Sequence, residues 1–312
     1  MKLLLIVNAS ASSVTARARV VIQKSLAADH RVTVAETSRR GHATRLAQGA
    51  AATGTDVVVV LGGDGTLNEA ANGLAGTDCA LGVLPGGSTN VFARTIGMTN
   101  DPIEATGELL GALGPGPGGI RSVGVGNVSG RRFLFHVGVG FDAAVVAQVE
   151  RRDAIKRYLG HAFFAYTAVD TWARHYDRRH PHFAMELHQQ DGQIVAVEDG
   201  YFAICLKTNP YTFLGERPFN VAPGTTLDTP LSVAVLRSLS AANLLSLAAI
   251  ALRGGDGFGR RRKAMLVTDV VRAVVRPFRP VPYQVDGDYL GDATHLEFRW
   301  EPEQLRLVVP GR

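Results

Sequence analysis

Residues 57–74, VVVVLGGDGTLNEAANGL, constrain the chain more than any other stretch. Four valines and a leucine run without a polar break into Gly62, Gly63, Asp64, Gly65 and Thr66, and Leu67, Asn68, Glu69 and two alanines then resume at helical spacing. A continuous apolar run of this kind suits a strand covered on both faces of a parallel sheet. Glycines directly after it let the backbone turn sharply and come close to a ligand. The helix that follows turns its free N–H groups and the positive end of its dipole toward that corner, which favours a phosphate. A strand–turn–helix corner with no ligand is the plain alternative; three glycines, an acid and a hydroxyl within five residues weigh against it. GxxxxGK[ST] is absent, and so is GxGxxG with an acid about 20 residues further on.

The flanking sequence repeats the alternation of strand and helix. Residues 3–8 read as a first strand ending at Asn8 and the small-residue loop 9–13, and residues 14–28 as a helix. Residues 31–36 form a second strand that delivers Thr37, and Gly41-His42-Ala43 opens another helix. Residues 80–84 form a fourth strand, followed by Pro85-Gly86-Gly87-Ser88-Thr89-Asn90 and a helix with Val91, Phe92 and Ile96 on one face. Such alternation gives an open parallel sheet, whose ligands lie outside the carboxyl ends of the strands. Asn8, Thr37 and the two glycine turns all fall at those ends.

GALGPGPGGI, residues 111–120, breaks the composition and marks a domain boundary. Beyond it the period changes, and residues 132–139, 182–188, 193–197, 200–206, 231–236 and 270–275 read as strands of a mainly antiparallel β half. Within 144–176, Val145, Val149, Tyr158, Phe163, Phe164, Tyr166, Val169, Trp172 and Tyr176 mark aromatic-rich helical segments that cover one side of that half or wall an acyl-chain groove. Residues 239–252 are the most apolar long stretch, shorter than the ~20 residues of a membrane span and interrupted by Ser240, Asn243 and Ser246, which suits a core or surface-lying helix. The run Arg260–Lys263 beside Phe258 reads as a solvated loop or as a contact for an anionic lipid surface. MKLLLIVNAS has an apolar core of five residues, below the roughly 7–15 of a secretory leader, and reads as a strand. Cys79 and Cys205 lie in separate apolar runs, so two buried free thiols in a reducing compartment are expected. A net charge of +5 fits an anionic ligand or membrane face without demanding nucleic acid.

With GGDGTLNE at 62–69 and PGGSTNVFAR at 85–94, the chain resembles the diacylglycerol kinase catalytic-domain family, which includes bacterial soluble lipid kinases and the sphingosine and ceramide kinases. Further matches follow in order: Thr37 with Gly41-His42-Ala43, Gly138-Val139-Gly140-Phe141-Asp142, Asn209-Pro210 with Gly215, Ala222-Pro223-Gly224 with Asp228, and Val285-Asp286-Gly287-Asp288. The resemblance covers nearly the whole chain. It implies a Rossmann-like parallel α/β nucleotide domain over 1–118 and an antiparallel β-sandwich for the lipid substrate over 119–293, with the active site in the cleft between them. Residues 294–312 are expected to pack back on the first domain. The implied cofactors are ATP and Mg²⁺.

By the same resemblance, ATP meets Asn8, Ser10, Ser12, Thr37, the turn Gly62, Gly63, Asp64, Gly65, Thr66, Leu67, Asn68 and Glu69, and then Ser88, Thr89 and Asn90. Asp64 holds or orients the Mg²⁺, and the family's catalytic base maps onto Asp288. The family carries glutamate there, so aspartate shortens the reach by roughly 1.5 Å. Either the loop advances, a water intervenes, or the base is weak or absent. A structural metal loop maps onto Thr225, Asp228 and Pro230, but its second acid is Ser232 here. Diacylglycerol is the default acceptor, with sphingoid bases, ceramide and other lipids open. An NAD kinase, which also carries GGDGT, and a non-catalytic nucleotide- or lipid-binding protein are the rivals. The expected setting is cytoplasmic, at the inner membrane face, with transient lipid contact, no transmembrane segment, no nucleic acid, and a homodimer as one assembly.

Overall fold

The computed structural model describes residues 1–8, 14–116, 118–151 and 166–311. The chain divides into two compact units, residues 1–125 with 301–312, and residues 126–300.

The first unit is a parallel α/β layer structure. Its strands are β1 (Lys2–Val7), β2 (Arg31–Glu36), β3 (Val57–Gly62) and β4 (Ala80–Pro85), and its helices α1 (Ala16–Asp29), α2 (His42–Ala52), α3 (Asp64–Leu74), α4 (Val91–Thr95) and α5 (Pro102–Leu113). The order β2-β1-β3-β4 is parallel throughout. Every residue of β3 and β4 is buried, as continuous Val/Leu strands with both faces covered require. Each of Val57–Leu61 is at most 1% exposed, worth about 1.5–3 kcal/mol apiece relative to water. Helix starts follow local chemistry. Thr15 Oγ1 accepts from Ala18 N at 3.1 Å, and Asp101 accepts from Ile103 N at 2.8 Å and Glu104 N at 3.0 Å with proline in the first turn. α2 and α3 approach closely at Gly73, where a Cβ would lie 2.5 Å from the Thr44 carbonyl. The end of the chain's last strand returns here, with Leu307 paired in parallel to Leu81.

The second unit is mainly antiparallel. It contains the end of β5 (Gly118–Val128), then β6 (Arg131–Phe133), β7 (His136–Gly140), α6 (Phe141–Glu150), β8 (Phe183–Gln189), β9 (Ile194–Gly200), β10 (Phe202–Leu206), β11 (Thr212–Leu214), β12 (Arg217–Phe219), β13 (Leu231–Leu236), α7 (Ala241–Leu252), β14 (Ala264–Pro277), β15 (Val281–Val285), β16 (Asp288–Ala293) and the start of β17 (Leu296–Pro310). Its strands run in the order β16-β15-β7-β10-β13-β14-β17, with β8 added on β14 and β9 on β8. β14 pairs with β13 over its first half and with β8 and β17 over its second, so one long strand serves three partners. Val137, Phe183, Val233, Val275 and Phe298 centre the main core, and α7 adds Leu247 to a second one with Phe258.

The run 132–139 reads as one strand, but the structure breaks it at Leu134-Phe135. The N–H groups of Leu134, Phe135 and His136 turn to a buried carboxylate, Asp286, 150 or more residues away. Of the aromatic stretch 144–176, α6 covers the start and a π-helical turn, Thr171–His175, the end. Tyr158, Phe163 and Phe164 lie outside the described residues.

Candidate active site

The two glycine turns of the first unit form one object. β3 and β4 run in register so that Gly62 faces Pro85, and Gly86 N donates to the Gly62 carbonyl at 2.9 Å. A Cβ on Gly86 would stand 2.8 Å from both N and Cα of Gly62, and one on Gly87 would stand 2.8 Å from Gly63 Cα. Backbone therefore packs directly on backbone, which no residue with a side chain permits. Asn90, at φ 50°, locks the second turn: its Oδ1 accepts from Gly87 N at 2.7 Å, and its Nδ2 donates to the Gly87 carbonyl at 2.9 Å and to Asn100 Oδ1 at 2.8 Å.

Two carboxylates on α3 close the helices on either side of it. Asp64 accepts from Val91 N at 2.9 Å and Phe92 N at 3.0 Å, the first N–H groups of α4. Glu69 accepts from Gly41 N at 2.7 Å and Ala43 N at 3.1 Å, at the start of α2. Each is a charge-assisted cap at the positive end of a neighbour. α3 itself begins after Gly63, which has no side chain to cap with. Burial raises the Asp64 carboxyl above its ordinary value, against the Phe92 and Val91 hydrogen bonds that lower it.

The remaining residues expected at the nucleotide fall into four groups. Asn8 ends β1, its Nδ2 donating to Thr66 Oγ1 at 2.9 Å, and Thr37 ends β2, its N–H donating to the Val7 carbonyl at 3.0 Å. Ser88 is exposed, Thr89 half-buried, and Gly65 lies in the first turn of α3. Leu67 and Asn68 are buried on the inner face of α3. Ser10 and Ser12 lie outside the described residues.

In the second unit the VDGD turn is pinned from within. Asp286, at φ 48° and 3% exposed, accepts from Leu134 N at 2.8 Å and from Phe135 N and His136 N at 3.0 Å each. Gly287 N donates to Gln284 Oε1 at 2.8 Å, and Gln284 Nε2 donates to Asp142 at 2.7 Å. The other oxygen of Asp142 accepts from the Tyr211 hydroxyl. Burial raises the Asp142 carboxyl, opposed by the Tyr211 and Gln284 hydrogen bonds, and pushes the neighbouring His136 imidazole down to about 3. Asp288 follows at the start of β16, half-buried, with one oxygen 3.4 Å from an Arg131 guanidinium nitrogen. Asp142 belongs to the GVGFD motif, whereas Gln284 and Tyr211 carried no signal beyond sitting beside the matched segments.

Of the residues expected at the structural metal, Thr225 and Pro230 are buried and Asp228 is exposed. Thr225 Oγ1 donates to Ser232 Oγ at 2.7 Å. Among the described residues, no three or more His, Cys, Asp or Glu side chains gather where they could hold a metal ion. A Mg²⁺ at the nucleotide would have to rest on phosphate and water oxygens, with the spare lone pairs of Asp64 as the protein's contribution, a ligand set that suits this ion. No helix among the described residues is long and apolar enough to cross a membrane.

Part of the chain matches a known catalytic domain. Residues 2–114 match the diacylglycerol kinase catalytic domain. A protein named Diacylglycerol kinase from Bacillus subtilis (strain 168) is 27% identical over 294 residues, 93% of this chain and 89% of its own. One named Probable lipid kinase YegS-like from Pseudomonas fluorescens is 33% identical over 157 residues, 50% of each chain. The crystal structure of a diacylglycerol kinase from Bacillus anthracis str. Sterne shares the fold with a TM-score of 0.68 at 21% identity, covering 99% of this chain and 96% of that one. The two glycine turns thus lie within the matched catalytic domain, and the chain is similar to lipid kinases of the diacylglycerol kinase catalytic-domain family.

Proposed function

We propose that the chain transfers the γ-phosphate of ATP to the hydroxyl of diacylglycerol, giving phosphatidic acid and ADP. One observation carries the nucleotide half: α3 closes the N-termini of both neighbouring helices with its own carboxylates and starts on a bare glycine itself. Its first-turn N–H groups and dipole are the phosphate cradle. Asp64 acts chiefly by clamping the two glycine turns into one rigid corner, which sharpens the expected role as a magnesium holder. Mg²⁺, when bound, neutralises charge on the phosphates. Leu67, Asn68 and Glu69 shape the corner from behind.

Phosphoryl transfer needs positioning and charge more than covalent help. In the proposed reaction Asp288 accepts the lipid hydroxyl proton, the lipid oxygen bonds to the γ-phosphorus, and the bond from that phosphorus to the bridging β–γ oxygen breaks. The hydrogen-bond chain Tyr211–Asp142–Gln284–Gly287 fixes the backbone from which Asp288 projects, and an Arg131 guanidinium nitrogen lies 3.4 Å from its carboxylate. Diacylglycerol is the acceptor on the strength of the 27%-identical relative's name.

The membrane is reached, in this reading, through α7. Leu245 is 72% and Leu252 42% exposed, seven positions apart on one stripe of a helix with no charged residue. Arg253 and Arg260–Lys263 are exposed beside it. An apolar stripe next to basic residues suits an anionic bilayer surface, at about 1 kcal/mol per basic residue near it.

The test is transfer of radiolabel from γ-labelled ATP with Mg²⁺ into mixed micelles carrying diacylglycerol, ceramide or a sphingoid base. Label in diacylglycerol supports the proposal. Label confined to another lipid moves the acceptor, and ATP binding without label in any lipid returns the pseudo-kinase.

A further inference from the structure

The loop at 225–230 offers its carbonyls to a cation that is already part of the chain. Lys207, immediately after β10, has a relative exposure of 0%. Its Nζ donates to the carbonyl oxygens of Thr226 at 2.9 Å, Leu227 at 3.0 Å and Thr229 at 3.0 Å. Its backbone N–H donates to the Phe135 carbonyl at 2.8 Å, so the residue is fixed at both ends.

An ammonium carries three N–H donors and no acceptor. Three carbonyls match that inventory; a neutral amine would have only two donors and would turn its lone pair toward the third oxygen. The geometry therefore holds the charged form. The spacing also selects the ion. Oxygens 2.9–3.0 Å from the centre fit N–H···O bonds, whereas Mg²⁺ binds oxygen at about 2.0–2.1 Å and Ca²⁺ at about 2.3–2.6 Å. The position where the resembling family places a second acid holds Ser232, which is 3% exposed and takes a hydrogen bond from Thr225 Oγ1 at 2.7 Å. A hydroxyl thus stands where the resemblance implies an acid, and a lysine ammonium meets the loop's carbonyls.

We propose that the Lys207 ammonium is a built-in cation that organises the 225–230 loop in place of a divalent metal ion. The loop then needs no metal to hold β10 against the segment leading into β13. This stands whatever the lipid acceptor, and its test uses neither ATP nor lipid, so failure of the kinase reading leaves it untouched.

The experiment is thermal unfolding of the full, nucleotide-free chain in excess EDTA and in millimolar MgCl₂, with Mn²⁺ binding followed by electron paramagnetic resonance. The wild-type midpoints are expected to agree within about 1 °C, and any bound Mn²⁺ is expected to survive Asp228→Ala. Lys207→Met is expected to lower the midpoint by several degrees, and Lys207→Ala with Ser232→Asp to gain a Mg²⁺-dependent rise that the wild type lacks. A wild-type midpoint that falls in EDTA and is restored by Mg²⁺, or bound Mn²⁺ that disappears in Asp228→Ala, would overturn the proposal. So would a Lys207→Met protein as stable as the parent. The wild-type measurements decide the matter even where a variant fails to fold.

Discussion

The two units solve the same problem by opposite means. In the first, the glycine corner is assembled by removing side chains: Gly62 and Gly63 lie against Gly86 and Gly87 so that two turns merge at the backbone. In the second, the turn that carries Asp288 is assembled by burying side chains: Asp286, Gln284, Asp142 and Tyr211 take or give hydrogen bonds in the interior. The acid within each motif behaves alike, however. Asp64 accepts two backbone N–H groups and Asp286 three. In both motifs an acid holds the loop by accepting backbone N–H groups.

The contrast is broken most severely at Asp286. Asp286→Ala strands three buried donors at about 1–3 kcal/mol each, so a loss of roughly 3–9 kcal/mol is expected in denaturant unfolding, with Asp286→Asn losing less. Gly86→Ala attacks the bare-backbone design instead. Its Cβ meets Gly62 at 2.8 Å, so overpacking of about 1–3 kcal/mol and a weakened ATP affinity by calorimetry are expected. Gly49, with nothing within 4 Å of its Cβ position, is the control: Gly49→Ala should be neutral or stabilising by about 0.4–1 kcal/mol.

Proton linkage gives a finer test of the buried second unit. His136 is held down to about 3, so the unfolded chain protonates it where the native state does not. Stability is therefore complete above the unfolded value near 6.5 and declines as pH falls toward 3, by up to about 1.4 kcal/mol per pH unit. Asp142 acts in the opposite sense: with its native value raised above 3.8, stability falls as pH rises through the window between the two. His136→Phe keeps a ring against Tyr211, whose centroid is 4.4 Å away, and should flatten the loss between pH 6.5 and 4.5 in pH-resolved unfolding. The smallest effect is expected at the surface. Leu245→Glu should leave unfolding within about 0.5 kcal/mol of the parent while reducing sedimentation with anionic vesicles.

What the sequence made legible follows the same division. The parallel strands are visible because continuous Val/Leu runs leave β3 and β4 no other environment, and the strand ends carry glycines that mark the corner. The capping roles of Asp64 and Glu69 are not legible, because the helix starts they close lie 26–28 residues away along the chain. The break at Leu134-Phe135 is hidden for the same reason, its acceptor being about 150 residues distant. Lys207 had one local sign, a lysine ending the wholly apolar strand FAICL, yet only the fold shows the carbonyls that meet it.

The central claim is a division of labour, with the glycine corner holding nucleotide and Asp288 moving the proton. The most direct measurement pairs steady-state label transfer into diacylglycerol with ATP affinity for Asp288→Asn. The account predicts a fall in kcat of about 10²–10⁴-fold with the ATP Kd unchanged. Unchanged turnover, or a Kd that weakens in step with the rate, would contradict it.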